Sequence, residues 1–338
     1  MSEHTNHEAS GTGEVPPTMK VGFVVIGRNE GERLVKCLKS VPDGLPTVYV
    51  DSASTDHSIE NAVALGAEVH SLDMSKPFSA ARARNEGFDR LMQIADDLDA
   101  VHFLDGDTIL QPGWLATATS FLQTTPKAAA IAGRRREIHP GDTWYNTLCD
   151  IEWDTPVGQA DAIGGDALYR VKPFREAGGF NPTVIAGEEP ELCFRMRKDG
   201  WTVHRLDAEM TLHDAAIHSF GAWWKRQVRA GYAWALGMLL HGREGYNVKE
   251  TVRSLLWGLG LPIIALGALL IGWWLITLAI IALYGLKWFR LRKRFTGQVP
   301  QPGRYGAFLM MSNVAEVFGM FKCWTESALG ERRIVEYK

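Results

Sequence analysis

Cysteine is scarce and unpaired in this chain. The 338 residues hold four, Cys37, Cys149, Cys193 and Cys323, with no CxxC pair among them. That pattern argues against a disulfide scaffold and a thiolate zinc site, and it fits a reducing compartment. Net charge is small, at −3, and gives no sign of a nucleic-acid partner. The opening MSEHTNHEASGTGEVPPTMK has no apolar stretch of the kind a secretory signal needs. Residues 1–18 are therefore expected to be a disordered tail, with His4 and His7 solvated. Internal repeats are missing too. So are the phosphate-binding string G-x-x-x-x-G-K-[ST] and a G-x-G-x-x-G after the first strand-like run.

The last absence is of charge. From Ser254 to Leu286 the chain reads SLLWGLGLPIIALGALLIGWWLITLAIIALYGL, without one ionisable acid or base of the Asp, Glu, Lys or Arg kind. A buried core helix rarely needs so long a run, so the segment is read as membrane-associated. One continuous helix of it would be roughly 50 Å long, against about 30 Å of hydrocarbon. Arg243, Lys249 and Arg253 precede the run, and Lys287, Arg290, Arg292, Lys293 and Arg294 follow it. Two basic flanks place both ends in the cytosol. With Pro262 and Gly272 offering bends, residues 251–289 are expected to form a short transmembrane hairpin, a single tilted span being the alternative. One or two passes cannot enclose a transport pathway. The region 219–250, in which Trp223–Leu240 mixes aromatics with Lys225, Arg226 and Arg229, suits a helix at a membrane surface. A packing helix under the preceding domain is the other option. Residues 290–338 read as a basic linker and a C-terminal amphipathic or membrane helix, apolar over Tyr305–Thr325 apart from Glu316.

What is present, with 46% hydrophobic residues, is globular before residue 219. Val101–Asp107, VHFLDGD, looks like a buried parallel strand delivering two carboxylates to its C-terminal loop. Asp-x-Asp there suits Mg²⁺ or Mn²⁺ carrying a diphosphate, because hard cations take oxygen ligands. Upstream, Lys20–Ile26, Thr47–Val50 and Ala67–Leu72 read as strands. Helices are expected over Glu32–Ser40, from a cap at Ser54 or Thr55 to about Leu65, and over Ser79–Ala95. This alternation predicts an α/β fold, a doubly wound parallel sheet with its site at the strand ends. Asp51 and Asp105 then share that edge, and Asp51 is placed to accept from a base N–H or a ribose hydroxyl.

The ordered set VVIGRNEGERL, VDSASTDHS, AARARNEG, FLDGD, GG and GEEPELCFRMRKDGW resembles family 2 glycosyltransferases of the GT-A fold, over about residues 20–215. The resemblance implies a GT-A domain, Rossmann-like with a mostly parallel sheet, over residues 19–218. It implies that Asp51 meets the nucleobase of a nucleotide-sugar donor, with Arg28, Glu30, Arg82, Asn85, Asp105, Gly164 and Gly165 around the donor. Asp105 and Asp107 become the metal-binding pair. Ser52 stands where many relatives carry a second Asp, which leaves uracil and guanine both open.

Glycosyl transfer needs a hydroxyl made nucleophilic and a diphosphate able to leave. Gly187-Glu188-Glu189-Pro190-Glu191, ahead of a short helix at Leu192–Lys198, offers the acids. The resemblance puts the catalytic pair on Glu188 and Glu189, with Glu189 in the base position and Glu191 left as a helix-start charge. Gly164-Gly165-Asp166-Ala167 is read as a loop whose paired glycines allow acceptor and donor sugar close to the backbone, a plain tight turn being the alternative. His213, after a final strand Glu209–Leu212, is expected as an additional metal ligand, with His218 as the fallback. Gln227-Val228-Arg229-Ala230-Gly231 lacks the Gln-x-x-Arg-Trp spacing of processive synthases, which implies single-sugar transfer. The expected function is thus a metal-dependent transfer from a UDP- or GDP-sugar to a lipid-linked or cell-surface glycan, inverting as the resemblance implies. The expected place is the inner membrane, with the catalytic domain in the cytoplasm and exopolysaccharide or glycolipid synthesis as the setting. A polyprenyl-phosphate sugar synthase and a non-catalytic nucleotide-binding scaffold are the alternatives.

Overall fold

The computed structural model describes residues 19–330, so the expected tail with His4 and His7, and residues 331–338, lie outside the described residues. Strand β1 (Val21–Gly27) is buried along nearly its whole length because parallel neighbours and helices cover both faces. Helix α1 (Glu32–Ser40), β2 (Thr47–Asp51), α2 (Ser58–Ala64), β3 (Glu68–Ser71), α3 (Ala80–Ile94) and β4 (Ala100–Asp105) follow. The strands β3-β2-β1-β4 pair in parallel in that order. Gly27 registers with Asp51 and Ile26 with Asp105, so both carboxylates leave the sheet at one edge.

Helix α2 corrects one expectation. Neither Ser54 nor Thr55 caps it, because both belong to the preceding loop: Ser54 Oγ accepts from Asn29 N–H, and Thr55 N–H donates to Asn29 Oδ1. The Ser58 N–H is instead taken by the Asp56 carboxylate. Ser79 does cap α3, accepting from Arg82 N–H.

The second half runs β5 (Thr108–Leu110), α4 (Trp114–Thr124), β6 (Ala128–Glu137), α5 (Trp144–Trp153), β7 (Gly158–Gln159), β8 (Ala167–Arg170), α6 (Val171–Glu176), α7 (Glu188–Lys198) and β9 (Thr202–His213). It extends the sheet as β4-β8-β6-β9-β5, with β7 on β9. Strand β8 is antiparallel to β4 and β6, whereas β9 is parallel to β6 and antiparallel to β5 and β7. The sheet is therefore parallel where it carries Asp51 and Asp105 and mixed beyond β4. Strand β9 begins well before Glu209: Asp207 and Glu209 are exposed within it, and the buried Arg205 donates to Asp154 Oδ1. Its pairing Thr108↔His213 lays the histidine beside the Asp105–Asp107 turn. Helix α7 begins at Glu188, not Leu192, so all three acids sit in its first turn.

Five further helices follow: α8 (Phe220–His241), α9 (Val248–Leu255), α10 (Leu261–Leu270), α11 (Trp274–Phe295) and α12 (Pro302–Leu329). A π-turn, Leu256–Gly260, joins α9 to α10 just before Pro262, which has no N–H to continue the α ladder. Val248–Leu270 and Trp274–Phe295, of 23 and 22 residues, are each long and apolar enough to cross a membrane, with mean hydropathy 1.7 and 1.5. They fold back on each other through a turn at Gly272, whose φ is +80°. The uncharged run is thus a helical hairpin. Its exposed tip carries Leu270, Ile271 and Trp273.

Helix α8 shows the packing role rather than an open face. Trp223 is buried with Leu148, Cys149 and Ile217 of the α/β domain. On its other side Tyr232 and Leu236 meet Met320 and Cys323 of α12. The two helix backbones nearly touch: a Cβ at Gly319 would lie 1.9 Å from the Val228 carbonyl oxygen, and one at Gly231 2.0 Å from that of Glu316.

Candidate active site

Helix α3, α7, the β4–β5 turn and the end of β9 meet around one cleft of about 920 Å³. Arg84 stands at its centre, 2% exposed. Its Nη2 donates to Asp105 Oδ1 and its Nη1 to Glu188 Oε1, each at 2.8 Å, with Glu189 Oε1 at 3.4 Å. Burial disfavours the guanidinium charge, but Asp105, Glu189 and Glu188 outweigh it and hold the proton firmly. Burial pushes the Asp105 carboxyl up, while Arg84 and, more weakly, Arg135 overcome it and hold the group below its ordinary range. Glu189 behaves otherwise. Burial first, then the neighbouring Glu188, raise it to about 7 against the pull of Arg84.

Asp107, His213 and Asp105 form the second part of the site. One ligand atom from each lies within 4.8 Å of the others. His213 Nε2 is 3.3 Å from Asp107 Oδ1, and the Trp153 ring stacks on the imidazole with centroids 4.8 Å apart. Arg135 lies over the other side of that network, 5.5 Å from the Trp153 ring. The buried His213 Nδ1 has no hydrogen-bond partner. Two carboxylates and an imidazole at this spacing fit a divalent cation such as Mg²⁺ or Mn²⁺. Asp105 Oδ1 is engaged by Arg84.

Not every residue picked from the sequence reaches the cleft. Arg28, Glu30, Asp105, Asp107, Gly164, Gly165, Glu188, Glu189 and His213 line it. Asp51, 1% exposed, is not on the lining; it accepts from Tyr49 Oη at 3.2 Å and from Ser54 N–H at 3.0 Å, which fixes the loop carrying Ser52. Arg82 is spent elsewhere, on Glu86 and on the carbonyls of Asp73, Lys76 and Pro77. Asn85 clamps the Phe180 backbone through both its amide N–H and its carbonyl oxygen. Of the cations on α3, Arg84 enters the site instead. Arg84 shares the buried face of α3 with Gly87, Phe88 and Leu91, a placement that a charged residue does not announce in sequence.

The paired glycines are tight against the site's own side chains. A Cβ on Gly165 would sit 2.3 Å from Arg84 Nη2 and 2.9 Å from Glu189 Oε1. Asp166, read from the sequence only as part of that loop, is fully buried; Oδ1 accepts from Asp105 N–H, Oδ2 from Thr211 Oγ1, and Arg135 lies 3.0 Å away. It ties the Asp105–Asp107 turn to β9.

The α/β sheet carries two strand-end acids, a histidine returned beside them and the Glu188-Glu189 pair, all in one cleft, an arrangement that fits the GT-A fold. Residues 23–178 match the family model described as Glycosyl transferase family 2. The pre-mycofactocin glycosyltransferase of Mycobacterium tuberculosis, in two strains, is 26% identical over 212 residues, covering 59% of this chain and 43% of that protein. The chain thus spans less than half the length of these curated relatives. Among solved structures, the mannosyltransferase PcManGT from Pyrobaculum calidifontis, in complex with GDP-Man and Mn²⁺, aligns with a TM-score of 0.57 at 17% identity, over 89% of this chain and 87% of that one. That likeness is one of fold.

Proposed function

We propose that this enzyme is a membrane-anchored, metal-dependent, inverting glycosyltransferase. It moves one sugar from a UDP- or GDP-sugar to a lipid-linked or cell-surface glycan hydroxyl, at the cytoplasmic face of the inner membrane. The observation that carries this is the convergence of Asp107, His213 and Asp105 with Glu188 and Glu189 in one cleft. The hairpin of two apolar helices supports the membrane placement.

Asp107 and His213, with Asp105, would hold the divalent cation, and such a cation supplies positive charge to the departing diphosphate. Glu189 takes the proton of the acceptor hydroxyl. Of the two acids it is the one suited to that role: Glu188 is locked on Arg84 and 3% exposed, whereas Glu189 has the raised proton affinity of a base working near neutral pH. Arg84 keeps both acids and Asp105 in register. Ser52, on the loop held by Asp51, lines the cleft together with Arg28, and this part of the lining is the candidate nucleoside side.

The test is transfer itself. The full chain in detergent would be given labelled UDP- or GDP-sugars, Mn²⁺ and a membrane lipid extract, and label would be followed into the organic phase. Metal-dependent transfer is expected. No transfer and no metal-dependent donor hydrolysis with any donor would overturn the proposal.

A further inference from the structure

A second cavity, of about 330 Å³, lies where the base of the hairpin meets α8 and α12. Its walls include Arg253 from α9 and Lys287 from α11, one at the foot of each arm of the hairpin. Glu152, Gln227, Ala230 and Trp234 line this cavity and the catalytic cleft alike, so the two spaces adjoin. The rest of its surface is largely aromatic and aliphatic, with Trp223, Tyr305 and Phe308 among the lining residues.

The charges here are incompletely answered. Lys287 Nζ is buried without a hydrogen-bond partner; its nearest described support is the Trp257 ring, 3.7 Å from the ammonium to the centroid. An ammonium has three donors, and burying it with none satisfied is costly. Arg253 lies over the Trp234 ring and 3.6 Å from Glu316, whose carboxylate also accepts from Ser254 Oγ at 2.6 Å. Glu316 therefore answers Arg253, and Glu152, the other acid on the wall, is paired with Arg226 at 3.0 Å, so among the described residues Lys287 is left without a carboxylate at ion-pair distance.

We infer that this cavity seats the phosphate of a long-chain lipid acceptor, with Lys287 and Arg253 as its ligands and the chain running along the exposed hairpin. The position rests on the transferase proposal above and sharpens it. A lipid phosphate lies at the depth where an apolar helix gives way to basic residues, which is where both cations stand. Seated there, the phosphate is outside the catalytic cleft, and the group that reaches Glu189 past Gln227 and Trp234 is a hydroxyl carried beyond it. The acceptor is then a phosphate-linked glycolipid rather than a bare lipid phosphate.

Tryptophans around the cavity report occupancy. The full chain in detergent would be titrated with undecaprenyl phosphate, undecaprenol and inorganic phosphate, with Mn²⁺-dependent nucleoside diphosphate binding measured on the same samples. Wild type should bind the lipid phosphate saturably, and the alcohol and inorganic phosphate about tenfold or more weakly. Lys287→Met should lose about tenfold in lipid-phosphate affinity and Lys287→Arg much less, both with nucleotide binding unchanged. Equal binding of alcohol or inorganic phosphate, or a Lys287→Met protein that binds nucleotide and lipid phosphate as wild type does, would overturn the site. Loss of nucleotide binding in wild type would instead overturn the transferase proposal, so the two failures are distinguishable.

Discussion

Arg84→Met removes the one guanidinium that three carboxylates share, in a side chain of similar reach. Arg84 is 2% exposed and lies 2.8 Å from Asp105, 2.8 Å from Glu188 and 3.4 Å from Glu189. Removing one partner of a buried pair costs about 3–5 kcal/mol, because the remaining charge is left unpaired. At roughly 2–4 °C per kcal/mol for a domain of this size, the melting temperature should fall by about 10 °C at pH 8. The deficit must shrink in acid. Without Arg84 the carboxylates repel one another, their folded-state proton affinities rise above the unfolded values, and the folded variant binds extra protons. Each pKa unit of that rise offsets about 1.4 kcal/mol once the solution is acidic enough to supply the proton. Melts of the full chain in detergent at pH 8 and pH 5.5, followed by tryptophan fluorescence, give the comparison. Arg84→Lys keeps the charge without the fork and should fall between the two. An Arg84→Met deficit equal at both pH values, or none at either, would refute the shared-cation reasoning.

Glu189→Gln should lower kcat by about 10²-fold or more, since the acceptor proton then has no base. In the wild type, activity should rise with pH through an acid limb near 7, where Glu189 becomes ionised; cation binding in the cleft shifts that limb downward, and a limb above 8 would contradict the assignment. The stability sign is opposite. A folded pKa raised from 4.5 to about 7 means ionisation of Glu189 costs stability as pH rises through that range, so Glu189→Gln should melt higher than wild type at pH 8. Gly165→Ala would press a methyl 2.3 Å from Arg84 Nη2 and 2.9 Å from Glu189 Oε1, and kcat should drop about tenfold or more while nucleotide affinity holds, read by steady-state kinetics and nucleotide titration. Gly319→Leu, whose Cβ would sit 1.9 Å from the Val228 carbonyl oxygen, should destabilise the α8–α12 pair by about 1–3 kcal/mol or more in a denaturant titration.

Much of the nucleotide-side fold was legible because its signals are local. The Val- and Ile-rich β1 and the Ala100–Asp105 strand read as buried strands, and Glu32–Ser40 is the helix that its spacing predicts. Of the residues that line the cleft, Asp105 and Asp107 were picked out by their chemistry at a strand end, and His213 and the Glu188-Glu189 pair by the resemblance. The site was not legible where a charge serves by being buried. Arg84 and Asp166 look like solvated residues in sequence, and only the packing of α3 against α7, and of β8 beside β6, gives them partners. Arg82, two positions from Arg84, faces the Asp73–Pro77 loop because a helix turns about 200° in two residues. The boundary of α2 was missed for a related reason: Ser54 and Thr55 bond to Asn29, a long-range choice no window of residues reveals.

Calorimetric titration of the full chain with Mn²⁺ and then UDP or GDP, repeated on Asp107→Asn, tests the metal-assisted donor site most directly. Wild type should bind one of the nucleotides only with the cation present, and Asp107→Asn, melting like wild type, should lose that binding by about 10-fold or more. Equal nucleotide affinity with and without Mn²⁺, unchanged in Asp107→Asn, would contradict it.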